Sequence, residues 1–140
     1  MPSSLLYLVD SSIWIHFARR RLPEDVVRRV FELMDGDLVA SNQVVRTEVL
    51  VGSRDAAHYA RNEAEFDGFV DLPITRSTWD AAAALGFSML RRWVSASLPD
   101  LMIAASAREH GAVVLHADKG FDRIADGAAL RVESYAERIL

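Results

Sequence analysis

Short apolar runs alternate with segments of helical periodicity along this chain of 140 residues, and this alternation restricts the fold more than any other feature. The first run, Leu5–Val9, consists of apolar and strand-forming residues and has no polar position to mark a solvent-exposed face. Such a run is typical of a strand that is buried in a parallel sheet. Further short strands are predicted at 38–40, 69–72, 112–116 and 130–133.

Helix signals fill the intervals between these runs. Ser11 and Ser12 supply N-cap chemistry after the first run, and Ser41 with Asn42 does so after the second. Further helices are predicted at 23–35, 55–66, 75–93, 101–110 and 119–125, with a small helix at the C-terminus. Strands that alternate with helices predict an α/β fold with a central, mainly parallel sheet. No repeat or linker interrupts the series, so residues 1–140 are expected to form a single domain.

The composition restricts the compartment and the possible partners. The chain has no cysteine, which excludes disulfides and thiolate metal sites and is compatible with a reducing cytosol. Since no signal-peptide layout and no membrane-length apolar stretch is present, we expect a cytoplasmic protein without membrane contact. Its 20 acidic and 16 basic residues give a net charge of −4, which argues mildly against broad, non-specific binding of nucleic acid.

Carboxylates follow two of the predicted buried strands. Asp10 comes directly after the first strand, and Asp118 comes two residues after the strand that ends at His116. Because the carboxyl ends of parallel strands lie at one edge of the sheet, both acids are expected at that edge. Either acid alone is explained equally well as a helix cap.

Two further acids are predicted near the same edge. Asp100 begins the apolar helix that leads into the Asp118 strand, and Glu48 lies on the helix after the second strand, among valines and a leucine. Burying a glutamate is unfavourable unless it is paired or bound to a metal ion. Four clustered carboxylates also repel one another and require compensation by cations.

Oxygen ligands without histidine or cysteine favour Mg²⁺ or Mn²⁺. Two such ions activate water and stabilise the leaving oxygen in phosphodiester hydrolysis. The four acids therefore suggest metal-assisted hydrolysis of a phosphodiester. His116 lies near one of these acids, Asp118, in the sequence and could instead be interpreted as a catalytic base. Because it ends an apolar strand, we expect a hydrogen-bonded structural imidazole there.

The motif set resembles that of the PIN-domain family, and within it the VapC-type toxins of bacterial toxin–antitoxin pairs. The resemblance extends along essentially the whole chain. The motifs are specific when taken together and not one by one. Its motifs are Val9-Asp10-Ser11-Ser12, Thr47-Glu48 with Gly52, Pro99-Asp100 with the apolar residues 101–105, and Leu115-His116-Ala117-Asp118 followed by Phe121 and Ile124. It implies a three-layer α/β/α fold and metal-dependent endoribonuclease activity.

By the same resemblance, the catalytic and metal-binding acids are Asp10, Glu48, Asp100 and Asp118, with Mg²⁺ or Mn²⁺ as the cofactor and Glu48 acting directly or through water. Ser12 matches the hydroxyl residue of the family that supports the first acid. One position departs from the pattern: many relatives carry a further aspartate two residues after the fourth acid, where this chain has Gly120. Asp122 is expected to turn away from the site, so a second bound ion is less well supported than the first.

The resemblance also implies an RNA substrate, a homodimer and a cognate antitoxin that covers the acidic site. Contacts to RNA would come from local basic residues, for which the candidates are Arg19–Arg21, Arg46, Arg91, Arg92 and Lys119. Two alternatives remain open at this point. One is a catalytically silent interaction module with the PIN fold, and the other is a Mg²⁺-dependent phosphoacceptor domain, although its expected paired acids after the first strand are replaced by Ser11 and Ser12.

Overall fold

The computed structural model describes residues 5–140, in which seven helices and five strands follow one another in largely alternating order. The strands are β1 (Tyr7–Val9), β2 (Val39–Ser41), β3 (Val70–Asp71), β4 (Val113–His116) and β5 (Val132–Ser134). The helices are α1 (Ser11–Ala18), α2 (Glu24–Asp35), α3 (Gln43–Val51), α4 (Ala56–Asp67), α5 (Arg76–Arg91), α6 (Leu98–His110) and α7 (Lys119–Gly127).

All five strands are parallel and lie in the order β3-β2-β1-β4-β5. The sheet is flanked by helices, so the predicted three-layer α/β/α architecture is confirmed. β1 lies at the centre, with Leu8 opposite Ala40 of β2 on one side and Val114 of β4 on the other. The strand order therefore places the ends of β1 and β4, and the residues that follow them, next to each other.

The core follows from the apolar runs. The central strand residues Leu8, Val9, Val114 and Leu115 are fully buried, as expected for strands covered on both faces. The helix α6 is buried continuously from Met102 to Ala107, which fits its almost wholly apolar sequence.

Helix α5 packs closely on α6 at Gly86. A Cβ atom placed on Gly86 would lie 2.8 Å from Leu101 Cδ1, so the absence of a side chain permits this approach. The contact fixes the first turn of α6, which carries Asp100, against the end of α5.

Three local predictions were wrong. Asp10, and not Ser11 or Ser12, is the N-cap of α1. Helix α6 begins at Leu98 inside the predicted loop, because Ser97 caps it and Pro99 is compatible with a first turn. The predicted C-terminal helix is only a turn after β5, since a segment this short cannot offset the cost of helix nucleation.

None of the helices described in residues 5–140 has the length and apolarity required to span a bilayer.

Candidate functional site

Asp10 leaves the central strand directly into the first turn of α1. Its backbone N–H donates to the carbonyl oxygen of Leu115 at 2.9 Å, which extends the pairing of β1 with β4 as far as the acid itself. Its side chain accepts the backbone N–H of Ser12 at 3.0 Å, and only 3% of the residue is exposed. Asp10 is therefore both the helix cap that the simplest interpretation suggested and a buried carboxylate at the predicted edge.

Asp118 and Asp100 meet on one side of Gly120. Asp118 caps α7 by accepting the N–H of Gly120 at 2.8 Å. A Cβ atom placed on Gly120 would lie 3.2 Å from Asp118 Oδ1 and 3.0 Å from Asp100 Oδ2. Position 120, where the family resemblance led us to expect a further acid, thus faces both carboxylates, and glycine leaves that space to them.

Glu48 reaches the same edge from α3. It is half-buried, and its Oε1 accepts a hydrogen bond from the Ser11 hydroxyl at 3.1 Å. This bond joins α3 to the turn that carries Asp10. Ser11 is a site residue that the sequence analysis treated only as a cap, and its separation from Glu48 by 37 positions left no local signal.

Burial raises the pKa of three of these acids, and the charges of neighbouring acids add to this effect in two of them. The pKa of Asp100 rises to about 6, mainly because of burial and then because of the charges of Asp118 and Asp10. Burial raises the pKa of Asp10 despite its hydrogen bonds with the start of α1. The pKa of Glu48 is raised by burial first, and the charges of Asp10 and Asp118 add to this effect. The fold thus brings all four predicted acids within electrostatic range of one another.

The donor chemistry of this cluster fits a hard divalent cation. In the part of the chain that the structure describes, none of the four acids forms an ion pair with lysine or arginine, so their charge is not compensated by the protein. No three acidic or histidine side chains of residues 5–140 are already arranged around one point as ligands. Asp10, Glu48 and Asp118 instead accept hydrogen bonds from the protein, and side-chain rotation would have to bring their oxygens together.

Ser12 joins the two strand ends that carry the first and fourth acids. Its hydroxyl oxygen accepts the backbone N–H of Ala117 at 3.0 Å, and its side chain also bonds with Asp10. Ser12 thus links the turn after β1 to the turn after β4, and this contact is consistent with the supporting role predicted for it.

His116 is fully buried at the end of β4. Its Nδ1 accepts the backbone N–H of Asp118 at 3.1 Å, and its ring lies 5.0 Å from that of Phe121. Burial lowers the pKa of His116, so the neutral ring is favoured, and a ring that accepts at Nδ1 carries its proton on Nε2. This environment agrees with the predicted structural imidazole.

Two charged residues of α7 have positions that the sequence left open. Asp122 points to Ser134, whose hydroxyl donates to it at 2.9 Å, and to His116 Nε2 at 3.3 Å, so it turns away from the acids as predicted. Arg123 was not among the predicted basic candidates, but its Nη2 would lie 3.8 Å from a Cβ atom at Gly120. Among the described residues, Arg123 forms no ion pair with Asp100 or Asp118, so it lies near Gly120 without neutralising these acids.

Three of the seven predicted basic candidates are engaged elsewhere. Arg46 pairs with Asp67 at 2.8 Å, and Lys119 lies 3.3 Å from Glu137. Arg91 lies over the ring of Phe87 at 4.5 Å. Compared with Arg46, Arg91 and Lys119, Arg123 has the position best suited to contact a phosphate near the acids.

Comparison with known proteins gives a consistent family. The family model of the PIN domain matches residues 7–127. Ribonuclease VapC18 of Mycobacterium tuberculosis is 31% identical over 125 residues, which cover 86% of this chain and 88% of that protein. Ribonuclease VapC51 of the same organism is 36% identical over 126 residues, with 87% of each chain covered.

Solved structures share the fold at lower identity. The structure of VapBC-1 from nontypeable Haemophilus influenzae matches with a TM-score of 0.75 and 21% identity, covering 94% of this chain and 99% of that one. FitAB bound to an IR36 DNA fragment matches with a TM-score of 0.74 and 20% identity, covering 92% and 94%. At these identities the matches show a common architecture.

Proposed function

The chain belongs to the PIN domain family, and from this membership and its acidic edge we propose that it is an endoribonuclease toxin that a cognate antitoxin neutralises. We further propose that its activity requires Mg²⁺ or Mn²⁺. The observation that carries the proposal is the cluster of Asp10, Glu48, Asp100 and Asp118 at the end of a parallel sheet. Burial raises the pKa of Glu48 and Asp100, the charges of neighbouring acids in the cluster add to this, and no lysine or arginine of the described residues pairs with the four acids. Its curated relatives are named as ribonucleases, which supports the RNA substrate.

Each residue of the site has a separate proposed role. Asp10, Asp100 and Asp118 would hold the ion, with Glu48 binding directly or through water. The ion would supply Lewis-acid chemistry, activating water and neutralising charge on the phosphate. Ser11 orients Glu48 through its hydroxyl, and the burial of Asp10 restricts that carboxylate to one direction of approach.

Arg123 is the proposed phosphate contact. Its Nη2 would lie 3.8 Å from a Cβ atom at Gly120, a position that also faces Asp100 and Asp118. A planar cation with several donors suits a phosphodiester oxygen. It would thereby offset the net negative charge of the chain at the place where RNA must approach.

Two surfaces support the proposed protein partners. A groove of about 510 Å³ is lined by residues of α1, α3 and α4, which include the apolar side chains of Trp14 and Val49 and the charged side chains of Arg61 and Glu65. None of the four acids is among its lining residues, although Val49 directly follows Glu48 on α3. We assign this groove to a segment of the antitoxin.

The exposed apolar face of α5 supports the proposed homodimer. Phe87 and Leu90 are 63% and 55% exposed, and Trp93 beyond the end of the helix is 95% exposed. Large apolar side chains concentrated on one helix face are typical of protein interfaces. We assign this face to a second copy of the chain, which leaves the groove of α1, α3 and α4 free for the antitoxin.

The deciding experiment combines cleavage with metal removal. The purified chain should cut cellular RNA when Mg²⁺ or Mn²⁺ is present, lose this activity in excess chelator, and regain it when the ion returns. Sequencing the 5′ ends of the products would identify the target. Undiminished cleavage in chelator would refute the metal requirement, and metal binding without cleavage would favour the silent interaction module. A stable aspartyl phosphate after treatment with acetyl phosphate would favour the phosphoacceptor domain.

A further inference from the structure

A chain of side chains runs from the edge strand β5 to the backbone of Asp118. The hydroxyl of Ser134 donates to Asp122 Oδ2 at 2.9 Å. The other oxygen of Asp122 lies 3.3 Å from His116 Nε2. On its far side, His116 Nδ1 accepts the N–H of Asp118 at 3.1 Å.

This N–H has no alternative partner in the regular structure. Pairing of β4 with β5 ends where the carbonyl of His116 accepts the N–H of Tyr135 at 2.8 Å, and α7 begins only after Asp118. Asp118 itself has extended backbone angles, φ −128° and ψ 121°, between a strand and a helix. The His116 ring is therefore the acceptor that fixes the backbone of this residue.

The ring needs an orienting group of its own. His116 is fully buried, and its Nε2 has no aligned hydrogen-bond partner within residues 5–140. Asp122 Oδ1, at 3.3 Å, is the carboxylate oxygen that faces it. In known metal sites, carboxylates outside the ligand set commonly orient a histidine that binds the ion. Here the histidine would instead hold the backbone of a proposed ligand, Asp118.

We propose that Ser134, Asp122 and His116 form a positioning unit that sets the direction of the Asp118 carboxylate and thereby tunes the affinity of the acidic site for a divalent cation. This inference rests on the proposed metal-dependent function. Asp122 is then a positioning residue that acts through His116. It does not take the place of any of the four acids as a metal ligand.

Calorimetry with Mn²⁺ alone, on the full chain, tests the unit without RNA. We expect Asp122→Ala to weaken Mn²⁺ binding about tenfold, within the range observed for residues that support metal ligands. Asp122→Asn keeps an oxygen acceptor but lacks the charge, and should stay within about threefold of the wild type if orientation is what matters. Asp126→Ala, an exposed acid one turn further along α7, is the matched control and should change nothing. Equal losses in Asp122→Ala and Asp122→Asn would overturn the proposal, because they would indicate a charge effect.

Amide hydrogen exchange in the metal-free protein separates this proposal from the proposed function. Asp122→Ala should accelerate exchange of the Asp118 amide at least severalfold, while the amide of Leu115 in β4 keeps its protection. This result would support the positioning unit even if the wild type bound no Mn²⁺, an outcome that would refute the metal requirement alone. Unchanged exchange at Asp118, or faster exchange throughout β4, would overturn the positioning unit.

Discussion

The hydroxyl oxygen of Ser12 accepts the backbone N–H of Ala117 at 3.0 Å, across 105 positions of sequence. The bond joins the turn after the central strand to the turn after its neighbour, and each turn carries one acid of the cluster, Asp10 or Asp118. The spacing between these two acids therefore depends on a hydroxyl group that is not expected to bind the cation.

Ser12→Ala should weaken this link without removing an acid. Loss of the acceptor leaves the N–H of Ala117 unpaired in a half-buried turn, which we expect to lower the free energy of unfolding by about 1 kcal/mol. RNA cleavage should fall more than this loss of stability explains, and Ser12→Thr, which retains a hydroxyl, should recover most of it. Denaturant unfolding and cleavage rates provide the measurement. Equal activity of the alanine variant and the wild type would contradict the supporting role.

Asp10→Asn and Asp118→Asn should abolish RNA cleavage and growth toxicity while leaving the fold intact. The amide oxygen can still accept the capping N–H in each case, but the charge that attracts a cation is lost. In metal-free protein, Asp10→Asn should be at least as stable as the wild type, because a carboxylate whose ionised form is disfavoured by burial is removed. Circular dichroism and thermal unfolding check the fold. Asp126→Asn is the control, and full activity in either site variant would refute the assignment.

The contribution of Asp100 to the stability of the metal-free protein should fall as pH rises through about 6. It is obtained as the difference between the wild type and Asp100→Asn, because the lowered pKa of the buried His116 acts in the opposite direction in both proteins. Burial raises the folded-state pKa of Asp100 to about 6, so between its ordinary pKa and this value the folded state binds more protons than the unfolded state. The raised pKa values of Asp10 and Glu48 act in the same direction. Unfolding of both proteins in chelator at pH 5 and pH 7.5 measures this contribution, which should be smaller at pH 7.5. Affinity for Mn²⁺ should show the opposite trend and increase with pH, since binding requires ionised carboxylates.

Gly120→Asp should make the stability of the fold more dependent on metal. The new side chain would start 3.0 Å from Asp100 Oδ2 and 3.2 Å from Asp118 Oδ1, so it adds a fifth negative charge to the cluster. We expect the metal-free variant to lose about 1–2 kcal/mol and to gain more from saturating Mn²⁺ than the wild type does. Gly120→Ala measures the steric cost by itself. Identical behaviour of the two variants would show that position 120 does not contribute charge to the site.

Phe87→Glu on the exposed face of α5 should convert the proposed dimer into a monomer. A carboxylate in the centre of an apolar interface cannot be solvated. In the isolated chain the change removes a largely exposed ring and its contact with the Arg91 guanidinium, so we expect only a small loss of stability. Sedimentation velocity measures the oligomeric state. Val51→Glu, an exposed apolar position on α3, is the matched control. A monomeric wild type at the concentration of the assay would refute the assignment of this face.

The sequence by itself determined the class of fold and the identity of the acids that the structure brings together. Burial and periodicity are local properties, so the run at Leu5–Val9 predicted a buried parallel strand, and the end of that strand located Asp10 at the sheet edge. The same reasoning located Asp118 after β4. The prediction of Glu48 and Asp100 as site residues needed a further argument, namely that clustered or buried carboxylates need compensating charge.

Only the tertiary structure decided how these acids are held. The bonds from Ser11 to Glu48 and from Ala117 to Ser12 connect residues that are 37 and 105 positions apart, and no local pattern specifies which hydroxyl meets which partner. Local sequence encodes which residues are buried and which elements form, whereas side-chain contacts between elements depend on the packing of helices against the sheet.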